Sequence, residues 1–311
     1  MCRSIGFEKY QFLIWGIGFL ALAGAISLAV PVGWDFKAFF LPVGRAVLAG
    51  SSPYTVPGFY NPAWLSLLFV PLALIPERLA WGIFLALNIS AFVIGLIRLK
   101  FRLIGIILVM LSPYVIYSLW YGNVDGLVIL GATLPPALGI WLILLKPQMS
   151  LILIGLWFYR SRSQGWKVWV RDFGLAGLVF GVCWLIGLRP RLDMSQASWN
   201  ITAWPWGLLP GLALAWLSFR QNSVHLALAA SPFFSPYTSP QSWVVTLLPA
   251  GSNWVILLLG VLLGWVFVVL RATLGARALI YEPYLLVAWG AIIFLYKYLA
   301  GRSSSYEVPD V

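Results

Sequence analysis

Acidic side chains are scarce in this sequence, with nine Asp plus Glu against twenty Lys plus Arg in 311 residues. Two of the acids, Asp35 and Asp125, adjoin long apolar runs, and so does Lys146. An ionisable group at membrane depth costs about 2.5–3.5 kcal/mol on insertion scales and marks a functional site by default. Asp35 stands just past the first apolar run. At a partly dry interface a carboxylate has a raised pKa, which brings it toward useful proton transfer near neutral pH. Its plain structural alternatives are solvation at the interface or capping of the helix that follows. Lys146 lies between two uncharged stretches, 126–145 and 148–159, and Pro147 beside it frees backbone polar groups. Buried, it would hold an anion; in a short outer turn it would snorkel to headgroups.

The elements that must position these groups are membrane helices. The chain is 61% apolar and 9% charged, with a mean hydropathy of +0.92. A soluble protein carries about 25% charged residues, so a soluble enzyme, a coiled coil and a nucleic-acid module are all excluded. The net charge of +11 falls in short clusters between apolar runs, the pattern of cytoplasmic loops and not of nucleic-acid binding. Cys2 and Cys183 are far apart and imply neither a disulfide framework nor a metal site. The single histidine, His225, cannot build a zinc centre and reads as a capping or interface residue. The first apolar run is too long for a cleavable signal and lacks a small-residue cleavage site.

A spanning helix needs about 20 apolar residues. Stretches 12–32, 79–97, 103–119, 126–145, 173–188, 254–270 and 284–296 qualify or nearly do. Shorter pieces lie at 63–75, 148–159, 207–219 and 225–230 with 244–248. The expectation is an all-α polytopic membrane protein with about nine or ten membrane helices. It would form a single transmembrane domain over 1–300, with an outer loop at 34–61 and a polar tail at 301–311 without fixed structure. Several breaks fall inside apolar runs, at Pro135-Pro136, Lys146-Pro147 and Ser231 to Pro240. Irregular backbone at membrane depth is tolerated only under protein cover or beside a cavity. The clusters at Arg98–Lys100–Arg102 and Arg160–Arg171 both ask for the cytoplasm. That conflicts with full crossings by both 63–75 and 79–97. Loop 34–61 opens with helical spacing of aromatic residues and is expected to lie along the interface.

The order of certain residues resembles the start of polytopic glycosyltransferases of family 87, in the GT-C superfamily. The carrying residues are Asp35, Phe36, Arg45, Leu48, Gly50, Pro53, Tyr54, Tyr60 and Pro62, followed by Pro71-Leu72-Ala73-Leu74-Ile75-Pro76. Gly122-Asn123-Val124-Asp125, Lys146-Pro147-Gln148 and Ser235-Pro236-Tyr237 continue the series in family order over about residues 34–250. Asn123 stands where the family usually has Gln, Gln241 is the nearest polar side chain where a His often follows the late Ser-Pro, and the second half is shorter.

The resemblance implies a GT-C-like fold and inverting transfer of a hexose, with mannose favoured. The donor is a polyprenyl-phosphate carrier and the acceptor a lipid or glycan hydroxyl, at the outer face of a prokaryotic plasma membrane. Such a reaction needs a base, groups that hold the leaving phosphate, and alignment of the reactants. Asp35 is then the base and Lys146 the phosphate clamp. Asn123, Asp125 and Gln148 bind sugar or acceptor hydroxyls, with helix capping as the alternative for Asp125. Trp34 stacks on a sugar face and Tyr60 belongs to the same outer loop. Arg189 and Arg191, ahead of Trp199, Trp204 and Trp206, contact phosphate or form an aromatic belt with headgroup-facing arginines. No cofactor is implied, and the lack of a carboxylate cluster argues against a tightly bound divalent cation. The other reading is non-enzymatic: a transporter or flippase of lipid-linked solutes, or a degenerate transferase-like subunit.

Overall fold

In the computed structural model the described residues are 5–189 and 200–303, and all the regular structure among them is helical. The chain is an all-α polytopic membrane protein. Four helices are long and apolar enough to cross a bilayer: α4 (Glu77–Arg98), α10 (Trp166–Leu185), α13 (Trp254–Leu274) and α14 (Glu282–Ser303, of which Glu282–Gly301 meets the test). The pair α5 (Leu103–Met110) and α6 (Pro113–Tyr121), bent by 59°, is a broken fifth span or a re-entrant loop. α1 (Ile5–Ala29) has 25 residues.

The nine or ten anticipated spans therefore become fewer full crossings plus a set of short helices, and proline is the physical reason. A proline lacks the N–H that continues a helix but suits its first turn. Pro113, Pro136 and Pro147 each open a new helix, α6, α8 (Pro136–Ile143) and α9 (Pro147–Ser163). The stretch 126–145 is accordingly no single span. It is a hairpin of α7 (Asp125–Gly131) and α8, two arms of about 10–12 Å at 1.5 Å per residue. Its arms touch through glycine, since a Cβ on Gly139 would overlap the Gly131 carbonyl oxygen. A second broken element comprises α12 (Val224–Ala230), a 3-10 turn at Ser231–Phe234 and a 3-10 helix at Pro240–Ala250.

The orientation conflict dissolves on the same ground. The stretch 63–75 does not cross: it holds the five-residue α3 (Leu65–Phe69) and a 3-10 turn at Leu72–Leu74. α4 then returns antiparallel along α1, its Gly82 seated against Ala23 and Ser27. Arg98, Lys100, Arg160 and Arg171 consequently line one cavity, so the two basic clusters fall at the same end of the helices, as the sequence pattern asks.

Loop 34–61 is helical at its start, as its spacing implies, with a π turn at Phe36–Phe40 and α2 (Leu41–Leu48). It does not lie free along the interface. Phe36, Phe40, Leu41 and Val43 are buried, and the rings of Phe36 and Phe40 pack on Phe69 and Phe84. One continuous apolar core runs from α1 to α14. In the tail, 301–303 continue α14 and 304–311 lie outside the described residues.

Candidate functional site

At the end opposite the basic cluster, the chain encloses a cavity of about 890 Å³. Its wall includes Trp34, Asp35, Tyr60, Asn123, Lys146 and Gln148, six of the sequence-derived candidates drawn from well-separated segments.

Asp35 is set by the π turn that follows it, a local backbone defect frequent at functional sites. Its side chain caps nothing. Instead Oδ2 accepts a hydrogen bond from Asn123 Nδ2 at 2.6 Å. Asn123 is fixed in turn. Gly122 ends α6 in the left-handed conformation (φ 80°), tight against Trp81 and Phe36, where a side chain has no room. The Asn123 carbonyl accepts from Asn88 Nδ2, and Asn88 Oδ1 accepts from Gly126 N at 3.1 Å. Asp35 is half-buried and lies outside the spanning helices. Burial pushes its pKa up to about 6, against the pull of Lys146, with the Asp125 charge raising it and the Asn123 bond lowering it.

Asp125 and Lys146 close the open end of the α7–α8 hairpin. Lys146 Nζ donates to both carboxylate oxygens of Asp125, at 2.9 and 3.0 Å, and Ser118 Oγ adds a third bond at 2.7 Å. Asp125 is fully buried and Lys146 is 5% exposed. Two simpler roles are thereby replaced. Asp125 is no side-chain cap but the first residue of α7. Lys146 is no headgroup anchor, and as a phosphate clamp it would act with its charge already matched by Asp125. Asn61 completes this edge, its Nδ2 donating to the Leu145 carbonyl at 2.9 Å.

Arg189 is not brought to the cavity. It stacks over Trp184 at 4.9 Å and donates to that residue's carbonyl, in keeping with a belt arginine. Arg191 and Trp199 lie outside the described residues. His225 does not cap α12: Ser223 does, and His225 Nε2 lies 3.2 Å from the Leu99 carbonyl oxygen at the basic end.

The wall also holds a pair that sequence reasoning missed, Arg271 and Glu282. Arg271 Nε and Nη2 donate to the two oxygens of Glu282 at 2.6 and 2.8 Å. Glu282 is fully buried, while the Arg271 side chain is 32% exposed. A guanidinium has five N–H donors, so three remain for a ligand. The readable signal was an arginine closing one apolar run and an acid opening the next. Tyr117 and Tyr121, stacked at 5.9 Å, add an aromatic surface to the same wall. Among the described residues no three His, Cys, Asp or Glu side chains gather as a metal ion would require.

The arrangement joins a carboxylate of near-neutral pKa, a partly free guanidinium and an aromatic wall within one mostly apolar chamber. Its groups are of the kinds that accept a proton from a hydroxyl and hold an anion in the same cavity. No family model matches the chain, and no curated protein or solved structure matches it.

Proposed function

We propose that this protein is an integral-membrane glycosyltransferase that moves a hexose, mannose favoured, from a polyprenyl-phosphate carrier to a lipid or glycan hydroxyl. The carrying observation is that Asp35 shares one cavity with Lys146 and Arg271, at the end away from the basic cluster. Asp35 Oδ2 is oriented by Asn123, and in this reading the carboxylate, which lines the cavity, takes the acceptor proton. As the acceptor oxygen bonds to the anomeric carbon from one side, the carbon–phosphate oxygen bond breaks on the other. The polyprenyl phosphate leaves with the electron pair, and the configuration inverts. Arg271 is the better-placed partner for the growing phosphate charge, because its free N–H groups suit phosphate oxygens. Lys146 supports the site through Asp125 and its field on Asp35. Trp34 and the Tyr117–Tyr121 pair offer faces for the sugar and the carrier. The membrane would be a prokaryotic plasma membrane, with the site on its outer side.

A second reading, transport of a lipid-linked solute, is favoured by one specific feature. The tip of the α7–α8 hairpin (Thr133, Leu134, Pro136) lines the basic cavity, while the broken segment after α12 (Ser235 to Gln241) lines the opposite one. Opposed broken helices of this kind suit alternating access.

The deciding experiment is sugar transfer from labelled polyprenyl-phosphate mannose in membranes holding equal amounts of wild type or Asp35→Asn. Transfer lost in the variant supports both enzyme and base. Equal transfer by both keeps the enzyme and removes Asp35 as its base. No transfer by either, across a range of donors, hands the case to transport.

A further inference from the structure

The cavity at the basic end takes no part in the proposed glycosyl transfer. It is an open cavity of about 970 Å³ between the ends of α4 and α9 and the starts of α10 and α12. Four cations line it, Arg98, Lys100, Arg160 and Arg171, against the single acid Asp172. That acid is already engaged, accepting from Arg171 Nε at 2.8 Å and from Ser161 Oγ at 2.6 Å. Arg160 is held in place by the side-chain and backbone oxygens of Asn222. The side chains of Arg98 and Lys100 make no hydrogen bond or ion pair among the described residues.

Basic residues that only mark topology fan out into headgroup water on flexible stems. The turn carrying Lys100 is instead built and tied down. Phe101 N donates to Leu96 O at 3.1 Å and Lys100 N to Ile97 O at 2.9 Å, the Schellman ending of a helix. That ending puts Lys100 in the left-handed region, φ 66°, where glycine is the usual occupant. The neighbouring Leu99 carbonyl is bound by His225 of α12, which fixes the turn from a second helix. Strained backbone retained by outside support is a mark of functional placement.

We infer that this cavity is a binding site for a phosphate group, with Arg98 and Lys100 as its open cationic ligands and Arg160 as a pre-positioned donor. Arginine forks match phosphate oxygens, and basic pockets between membrane helices on the cytoplasmic side take phosphorylated headgroups. The phosphate belongs to an anionic lipid headgroup of that leaflet or to a soluble phosphate compound. The inference does not depend on glycosyl transfer.

The test uses the full chain in two arms. In detergent, inorganic pyrophosphate is titrated and thermal stabilisation followed. In nanodiscs, retention of phosphatidylglycerol over phosphatidylcholine is counted by native mass spectrometry. The variant Arg98→Gln with Lys100→Gln is compared with Arg78→Gln, an exposed basic residue at the other end of α4. All three side chains are exposed, so folding is expected to survive, and an unchanged gel-filtration profile checks it. Should the double variant aggregate, Arg98→Gln alone replaces it under the same criterion. The expected result is saturable binding in at least one arm, weakened about tenfold or more by the cavity substitutions and unchanged by Arg78→Gln. Saturation by pyrophosphate assigns a soluble ligand; selective lipid retention alone assigns a headgroup. No saturable binding in either arm, or equal loss in the cavity variant and Arg78→Gln, overturns the site.

Discussion

Around Asp35 the ionisable groups are ion-paired or hydrogen-bonded: Lys146 with Asp125, Arg271 with Glu282, and Asp35 to the neutral Asn123 amide. At the basic end Arg98 and Lys100 stand exposed and unmatched among the described residues. The contrast follows from solvation. A charge out of water must be paired and hydrogen-bonded, or it neutralises, whereas a cation at the membrane surface keeps its water. At the Asp35 cavity, therefore, stability and proposed chemistry rest on the same residues. At the basic cavity they are separable.

The largest effect should fall on catalysis. Asp35→Asn is expected to lower sugar transfer by about 10²–10⁴-fold, the usual contribution of a positioned base. The fold should not suffer. The native pKa of Asp35, about 6, lies above its ordinary 3.8, so the folded state holds the proton more tightly. The destabilising effect of the ionised carboxylate is absent below about pH 4 and complete above pH 6. Asp35→Asn should thus match wild type in acid and exceed it at pH 8 in thermal melts. A variant less stable than wild type at pH 8 would contradict that burial.

Next comes Lys146→Met, which leaves Asp125 charged and buried without its cation. A loss of about 3–5 kcal/mol is expected, largely restored in Lys146→Met with Asp125→Leu. Denaturant unfolding in detergent measures both, and a single variant as stable as the double one would refute the pairing argument. Gly139→Ala, pressing a methyl into the α7–α8 contact, should cost about 1–3 kcal/mol; a neutral result in the same assay would mean the hairpin arms separate freely.

Smaller still is the pH response. The transfer rate should rise with pH through about 6 as Asp35 ionises. Asn123→Leu removes the bond that lowers this pKa, so the rising limb should move to higher pH. A limb that stays put, or moves down, would show that Asn123 does not act through Asp35. The smallest effect belongs to the other end. Arg98→Gln should change unfolding stability by no more than about 0.5 kcal/mol, and a loss comparable to that of Lys146→Met would erase the contrast between the two cavities.

Much of the local structure was legible because its causes are local. Scarce charge in long apolar runs meant membrane helices. Pro136 and Pro147 announced breaks, and the aromatic spacing after Asp35 announced a helix. The number of crossings was not legible, since an apolar stretch reads the same whether it crosses or turns back. The stretch 126–145 has the length of a span, yet the Gly131–Gly139 contact folds it into a hairpin. Among site residues, Asp35 and Lys146 stood out by their rarity in apolar surroundings. Arg271 and Glu282 looked like ordinary ends of neighbouring helices.

The sequence by itself determined that this is an all-α membrane protein, where its apolar runs are broken by proline and where its basic clusters lie along the chain. These follow from composition, proline chemistry and charge counts, which act over a few residues. Only the tertiary structure decided that Lys146 binds Asp125 and not a headgroup, that Asp35 is oriented by Asn123 instead of capping a helix, and that Arg271 lines the same cavity. Those choices depend on which groups lose their water together. Desolvation is a property of packed neighbours far apart in the chain, and no single stretch of sequence carries it.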